Sequence, residues 1–284
     1  MFAAAREPPS RLIFGGDAML GRLVRDAILR HGPGYPLGAI APLLREADLT
    51  VVNLECAITS SNSSSSHWHG APKAFYFGAP PGAIKTLADA GIGLVSLANN
   101  HALDYDVQGL LQTIRALDAH GIAHAGAGDD LTGALQGAIV QRTHLGLGMA
   151  AFCDHQGDFA AANGCPGIAW LDMADEAAAI AAFADALAPL SAAAVNWPIL
   201  SLHWGPNMVW RPEPRQRRLA HAAIDMGWKI VYGHSAHVFH GVELYRGCPI
   251  IYAAGDLVDD YYVDPAFRND HQLLFDLRLA GGAL

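Results

Sequence analysis

Short apolar runs recur along the chain, and most stop at a glycine or a polar residue before a stretch of helical periodicity begins. Arg11–Gly16 reads as a buried strand that runs into two glycines and Asp17, followed by a helix over Leu20–Arg30. A helix over Gly38–Ala47 leads into the strand Leu49–Leu54. Pro81–Ala90 reads as a helix stopped by Gly91. Gly93–Ala98 is the next strand, Asp106–Ala119 the next helix, and Gly121–Gly128 a short strand ending in a glycine turn. Gln136–Arg142 and Leu145–Phe152 form a predicted hairpin. The Ala-rich helix Ala174–Leu187 precedes the strand Trp197–Leu202. Pro214 suits the first turn of a helix that runs to Met226. Lys229–Tyr232 is a further strand. Val238–Tyr245 and Pro249–Ala253 pair about a turn at Arg246-Gly247, and His271–Leu279 closes the chain as a last strand. Strands alternate with helices, which predicts an α/β fold. No linker and no internal repeat divides the chain, so one domain is expected over 1–284, with its core at about 11–279.

Composition narrows the class. The 284 residues are 52% hydrophobic and 16% charged, enough for a sizeable core. A formal net charge of −9, with no run of Lys or Arg, argues against a nucleic-acid partner. The four cysteines, Cys56, Cys153, Cys165 and Cys248, form no Cys-x-x-Cys pair, so a zinc ribbon is excluded and free thiols in a reducing compartment are expected. The N-terminal segment has no apolar core of a leader, and no stretch reaches the roughly 18 apolar residues of a membrane span. A soluble, cytoplasmic chain is the expectation. Gly126-Ala127-Gly128 lacks the third glycine of a dinucleotide fingerprint, which rejects that reading.

Candidate chemistry sits where the strands end. Asp17 follows the first strand, either as a helix cap or as a metal ligand at the carboxyl edge of the sheet. Arg22 stands at the following helix start and can hold an anionic group or form a surface ion pair. Glu55 ends the second strand. Asn99-Asn100-His101 ends the third: an Asn oxygen is a hard neutral ligand, and the neighbouring His is suited to proton transfer. Asp104 or Asp106 can cap the next helix. His203-Trp204-Gly205 ends a fourth strand, and Gly233-His234-Ser235-Ala236-His237 ends a fifth. Asp256 can orient a ligand histidine. Any one of these has a bland explanation. Asp17, Glu55, Asn100, His203, His234 and His237 at equivalent ends of separate strands together predict a metal site, and the mixed N and O set suits Zn, Mn or Fe. Arg211, in a Pro- and Arg-rich stretch, can bind carboxylate or sit at a solvated helix start. The loop Thr59–Ser66 and the adjoining His67 and His69 read as a lid that touches substrate or as a disordered tract. The loop Cys153–Gly167, with Asp154, His155 and Asp158, is a candidate pocket wall.

Gly16-Asp17-Ala18-Met19-Leu20-Gly21-Arg22, Asn53-Leu54-Glu55, Asn99-Asn100-His101 with Asp104, His203-Trp204-Gly205, Gly233-His234-Ser235-Ala236-His237 and Ile250–Asp256 resemble the motifs of the CapA/PgsA family. That family is linked to poly-γ-glutamate capsule synthesis and is related in fold to calcineurin-like metallophosphoesterases. The resemblance covers about 12–256. It implies a four-layer α/β/β/α sandwich of two mixed sheets with the site at one edge. It also implies one or two divalent ions: one held by Glu55, Asn100, His203 and His234, and a weaker or absent one at Asp17 and His237. Met19 stands where the metallophosphoesterase pattern Asp-x-His has a ligand, and Glu55 where it has a bridging Asp.

The expected function is a metal-dependent hydrolase acting on an anionic peptide, polymer or phosphoester, with γ-glutamyl amides as one candidate. His101 is the expected proton donor, oriented by Asp104, and Arg22, Arg211 and Trp204 the expected substrate contacts. The other readings are a polymer-binding accessory protein without turnover, a phosphoesterase, and a metal-free isomerase that uses Asp17 and a histidine as an acid/base pair.

Overall fold

The structure is a computed structural model and describes residues 9–61, 73–142 and 145–279. His67 and His69 lie outside the described residues. Two sheets carry the fold. In the first, the strands run Asp256–Val258, Ser10–Ala18, Leu49–Leu54, Ile92–Ser96 and Ala123–Ala125, all parallel. Phe275–Leu279 pairs antiparallel with the first half of Ser10–Ala18, so that strand has one partner for each half on its outer side. In the second sheet, Cys248–Ile251, Ile230–His234, Trp197–His203 and Leu145–Cys153 are parallel, and the edge strands Val242–Tyr245 and Ala138–Arg142 join as antiparallel hairpins. Each sheet is therefore mixed, as expected.

Burial on both faces explains the near-continuous apolar character of the inner strands. Along the second sheet the side chains alternate. Met149, Ile199, Ile230 and Tyr232 share a core with Phe14, Val52 and Leu94 of the first sheet, and this is the sandwich interior. Phe152, Leu200, Leu202 and Val231 share another with Phe183 and Leu187 of the helix Glu176–Ala192 and with Leu219 and Ala223 of the helix Pro214–Met226. The helices Arg22–His31 and Asp106–Ala119 pack through Ile28, Leu110 and Leu117 into the first core. The architecture is the four-layer α/β/β/α sandwich of the metallophosphatase-like fold. Tyr232 ties the sheets together, its hydroxyl donating to Gly15 O at 2.7 Å across the interior.

Several boundaries differ from the sequence reading for local reasons. The first strand runs through Asp17 to Ala18, and the helix starts only at Arg22. Asp17 therefore caps nothing; the orphan N–H of Leu23 is taken by Asp260 at 2.8 Å. The helix expected over Gly38–Ala47 shortens to a 3₁₀ turn and Ala41–Arg45, with Pro42 in its first turn. The strand expected over Val238–Tyr245 forms only over Val242–Tyr245. The helix Glu176–Ala192 runs five residues past its expected end, capped by Asp175, whose carboxylate accepts from Ala178 N at 3.0 Å.

Candidate metal centre

Register places the site. Asp17 lies level with Asn53 on one side and Asp256 on the other. His203 lies level with His234. Two glycines allow the close approach at these strand ends. A Cβ at Gly16 would sit 2.0 Å from Gly255 O, and one at Gly233 would sit 2.1 Å from Tyr252 O. Beyond Gly233 the chain takes left-handed backbone at Ser235 (φ 98) and His237 (φ 56), a costly conformation for residues with a Cβ and one that clusters at functional sites. The bend aims Ser235 N at Asp17 Oδ2 (3.3 Å) and His237 Nδ1 at Asp256 Oδ1 (3.0 Å).

Donor atoms converge in two groups that share one carboxylate. Asp17, His203 and His234 bring ligand atoms within 4.8 Å of one another, and so do Asp17, Glu55 and His237; all five side chains are buried. The grouping differs from the one implied by resemblance, in which Glu55 joined His203 and His234. Asp17 is the shared residue because its strand lies at the seam where the sheets meet. Asn53 fixes it, donating from Nδ2 to Asp17 Oδ1 (2.8 Å) and to Glu55 Oε2 (3.1 Å). Asn99 holds Asn53 in turn, donating to its Oδ1 at 3.0 Å. Asn99 is thus a structural amide. Its neighbour Asn100 keeps a buried Oδ1 with no hydrogen-bond partner among the described residues, as do Glu55 at Oε1 and Asp256 at Oδ2.

These orphan acceptors fit a divalent cation. Three buried carboxylates, Asp17, Glu55 and Asp256, crowd one seam, and unpaired buried acceptors are costly unless a cation or proton satisfies them. Burial together with the Asp256 charge lifts Asp17 to about 6. Burial and the charges of Asp17 and Asp256 push Glu55 well above the carboxylate range. The imidazoles move the other way. Burial drives His203 well below its ordinary value and His234 down to about 3, so both are neutral, the form that binds metal. His203 Nδ1 and His234 Nδ1 face each other at 2.8 Å, while Ser201 Oγ sits 2.9 Å from His234 Nε2 and fixes that ring. For His237, burial opposes the charge, but Asp256 and Asp17 outweigh it and raise the ring to about 9.

His101 adjoins this centre. Its Nδ1 lies 2.5 Å from Asp104 Oδ2 and its Nε2 lies 3.8 Å from Glu55 Oε1. Phe77 packs edge-on against the ring at 4.4 Å. Burial lowers His101 to about 4. Asp104 accepts from Phe77 N at 2.7 Å and from Lys73 Nζ at 2.5 Å, which overturns a capping role for it. Lys73 also reaches Asn100 O and lies 3.2 Å from His101 Nδ1. Sequence reasoning missed Lys73: it follows a polar tract and belongs to no periodic element. Above the pair opens a cleft of about 560 Å³, lined by Lys73, Asn100, His101, His237, Tyr261 and others.

One expected substrate contact, Trp204, is corrected. Trp204 is 1% exposed, packs in the helix-side core and donates from Nε1 to Tyr252 O at 2.9 Å, so it presents no ring to a ligand. Arg211 is exposed and is not among the residues lining the cleft. Met19 is fully buried in the sandwich core, where its N–H donates to Val258 O, and its thioether offers no hard ligand. Arg22 faces a separate pocket beside the cleft.

Comparison with known proteins gives the family and the fold. The family described as "Bacterial capsule synthesis protein PGA_cap" matches residues 11–261. A "Probable polyglutamine synthesis accessory protein" of Mycobacterium tuberculosis is 32% identical over 93% of this chain and 79% of its own length. The "PGA biosynthesis protein CapA" of Bacillus subtilis is 30% identical over 87% of this chain, which spans 62% of that protein. Among solved structures, a "Putative 5'-Nucleotidase" from Staphylococcus aureus superposes with a TM-score of 0.52 at 11% identity, over 88% of this chain and about half (49%) of that one. That likeness bears on the fold alone. No helix among the described residues is long and apolar enough to cross a membrane.

Proposed function

The chain belongs to the PGA_cap capsule synthesis family, and from that premise we propose that it is a metal-dependent hydrolase of an anionic chain, cleaving γ-glutamyl amide bonds. The observation that carries this reading is the pair of three-donor groups sharing Asp17, with His101 and His237 lining the cleft beside them and Asp104 buried behind the His101 ring. Asp17, His203 and His234 would hold one ion, and Asp17, Glu55 and His237 a second, with Asn100 Oδ1 free to join. A bound Mn, Fe or Zn ion supplies an acidified water and a polarised scissile oxygen.

The protein's own groups do the rest. Asp104 fixes the His101 ring through Nδ1 and leaves Nε2 facing the centre. A neutral imidazole so placed takes a proton from the attacking water and delivers it to the leaving nitrogen. Buried walls around the seam keep bulk water from screening these charges. One observation favours the accessory reading instead: Met19 removes a ligand that the related enzymes' pattern supplies.

Turnover separates the two. Protein loaded with Mn, Fe or Zn is incubated with γ-linked glutamate oligomers and, in parallel, with aryl phosphate esters. Release of free amine, abolished in His101→Asn, supports the amidase; release of phosphate alone moves the substrate class to phosphoesters. Metal bound with neither product leaves the polymer-binding reading standing and overturns the hydrolase.

A further inference from the structure

A second cavity of about 580 Å³ lies on the other side of the segment 73–78 from the metal cleft. Lys73, Ala74 and Phe75 line the cleft, whereas Tyr76 and Gly78 line this pocket, so one short strap forms the wall between them. The opposite wall is the helix Arg22–His31, whose Arg22 and Arg25, three residues apart, project from the same face.

The polar groups here are largely unspent. Arg22 Nη1 is buried with no hydrogen-bond partner among the described residues, an expensive state for a guanidinium donor. The rest of that side chain is held in place: Nε lies 3.4 Å from Asp260 Oδ2, and Cζ sits 4.6 Å from the Phe75 ring centroid and 5.6 Å from that of Phe77. Arg25 donates to Gly78 O through one long contact of 3.3 Å. Tyr76 Oη accepts from Lys73 N at 3.1 Å, which leaves its own O–H to donate. Tyr105 Oη has no hydrogen-bond partner among the described residues, and its ring closes over Gly78, where a Cβ would meet it at 2.3 Å. The one acid lining the pocket, Asp26, is exposed to solvent. Asp260, its side chain buried with Oδ1 unsatisfied among the described residues, balances part of the Arg22 charge from one side; Arg25 and the two phenols stay open on the other and, with Arg22 Nη1, form a receptor for an oxyanion.

We propose that this pocket is an anion subsite that grips a carboxylate of the substrate chain at a residue next to the one in the metal cleft. Arg22 links the two places: Phe75 under its guanidinium lines the cleft, and Phe77 beside it packs on His101. A chain with anionic groups at regular intervals would lie across the strap, one unit over the centre and the next on the arginines. This rests on the hydrolase reading for which bond is cleaved, but not for binding.

The test is equilibrium binding, with no turnover required. A fluorescent γ-linked glutamate pentamer, free glutamate and orthophosphate are titrated against the wild type, Arg25→Gln, and Glu55→Ala. Arg25→Gln is expected to weaken the pentamer roughly tenfold or more, with metal content unchanged. A hydrolase that fails in turnover but shows this loss leaves the subsite standing. Equal pentamer affinity in wild type and Arg25→Gln overturns the proposal. So does a pocket that takes orthophosphate but no pentamer, since it then serves a free phosphate rather than the substrate chain. Arg25→Lys, which keeps the charge but not the fork, is expected to recover only part of the affinity.

Discussion

The two sheets bring opposite halves of one site. The first supplies oxygen: Asp17, Glu55 and Asp256, with the amide of Asn100 beyond its third strand. The second supplies nitrogen: His203 and His234 at adjacent strand ends, and His237 on the loop that follows. Burial acts on the two halves in opposite senses. It lifts the carboxylates, Asp17 to about 6, and depresses the imidazoles, His234 to about 3. The oxygen half is thus short of positive charge, and His203 and His234 do not provide it as protons. A divalent cation at the seam resolves both, because it favours the ionised carboxylate and uses neutral imidazole as it stands. His237 is the exception that fits the rule: it alone faces two of the carboxylates and is held protonated, to about 9.

Removing the residue the two groups share breaks this comparison most severely. Asp17→Ala is expected to lose both ions, with affinity down by more than roughly 100-fold. His203→Ala and His237→Ala should each lose one. Elemental analysis of protein purified without chelator decides it, and unchanged metal content in Asp17→Ala would remove Asp17 from the centre altogether. Next in size is His101→Asn, which keeps the metal groups intact. Turnover is expected to fall by about 10²–10⁴ with metal content unaltered; loss of metal alongside activity would instead make His101 a ligand.

Most of the oxygen and nitrogen halves was legible because each donor follows a buried apolar run, and parallel strands in a two-layer sandwich deliver their ends to one edge. What a sequence does not carry is which ends meet. Asp17 rather than Glu55 is the residue common to both donor groups because of sheet order and register, which are tertiary facts. Lys73 gave no signal at all, being a lone cation outside any element. Trp204 did give one. In a strand, successive side chains point to opposite faces. His203 faces the seam, so Trp204 had to face the helices with Leu200 and Leu202.

A third test asks whether His237 joins the halves even without metal. Its ring is protonated more readily in the folded chain than in the unfolded one. The His237–Asp256 pair therefore contributes stability that is full below about pH 6.5 and is lost as pH rises through about 9. In metal-free protein, the stability gap between wild type and His237→Gln is expected to be about 1–3 kcal/mol at pH 6 and to close by pH 10. Denaturant melts across that range measure it. A gap that widens with pH would mean the ring is buried neutral.

The smallest expected effect concerns a residue one position from a candidate ligand. Trp204→Phe keeps an aromatic ring in the helix-side core but deletes the Nε1 donor to Tyr252 O. That leaves one buried carbonyl without this partner, at a cost of about 1–2 kcal/mol. If the parity argument is right, the variant melts lower while metal content stays fixed and KM for any substrate moves less than about twofold, because the deleted group lies behind the second sheet and not over the centre. The opposite pattern, an unchanged melting temperature with a raised KM, would put the indole in the substrate's path. It would also mean that the strand Trp197–His203 turns its faces at its end, so that the nitrogen half of the site would have to be rebuilt from His234 and His237 alone.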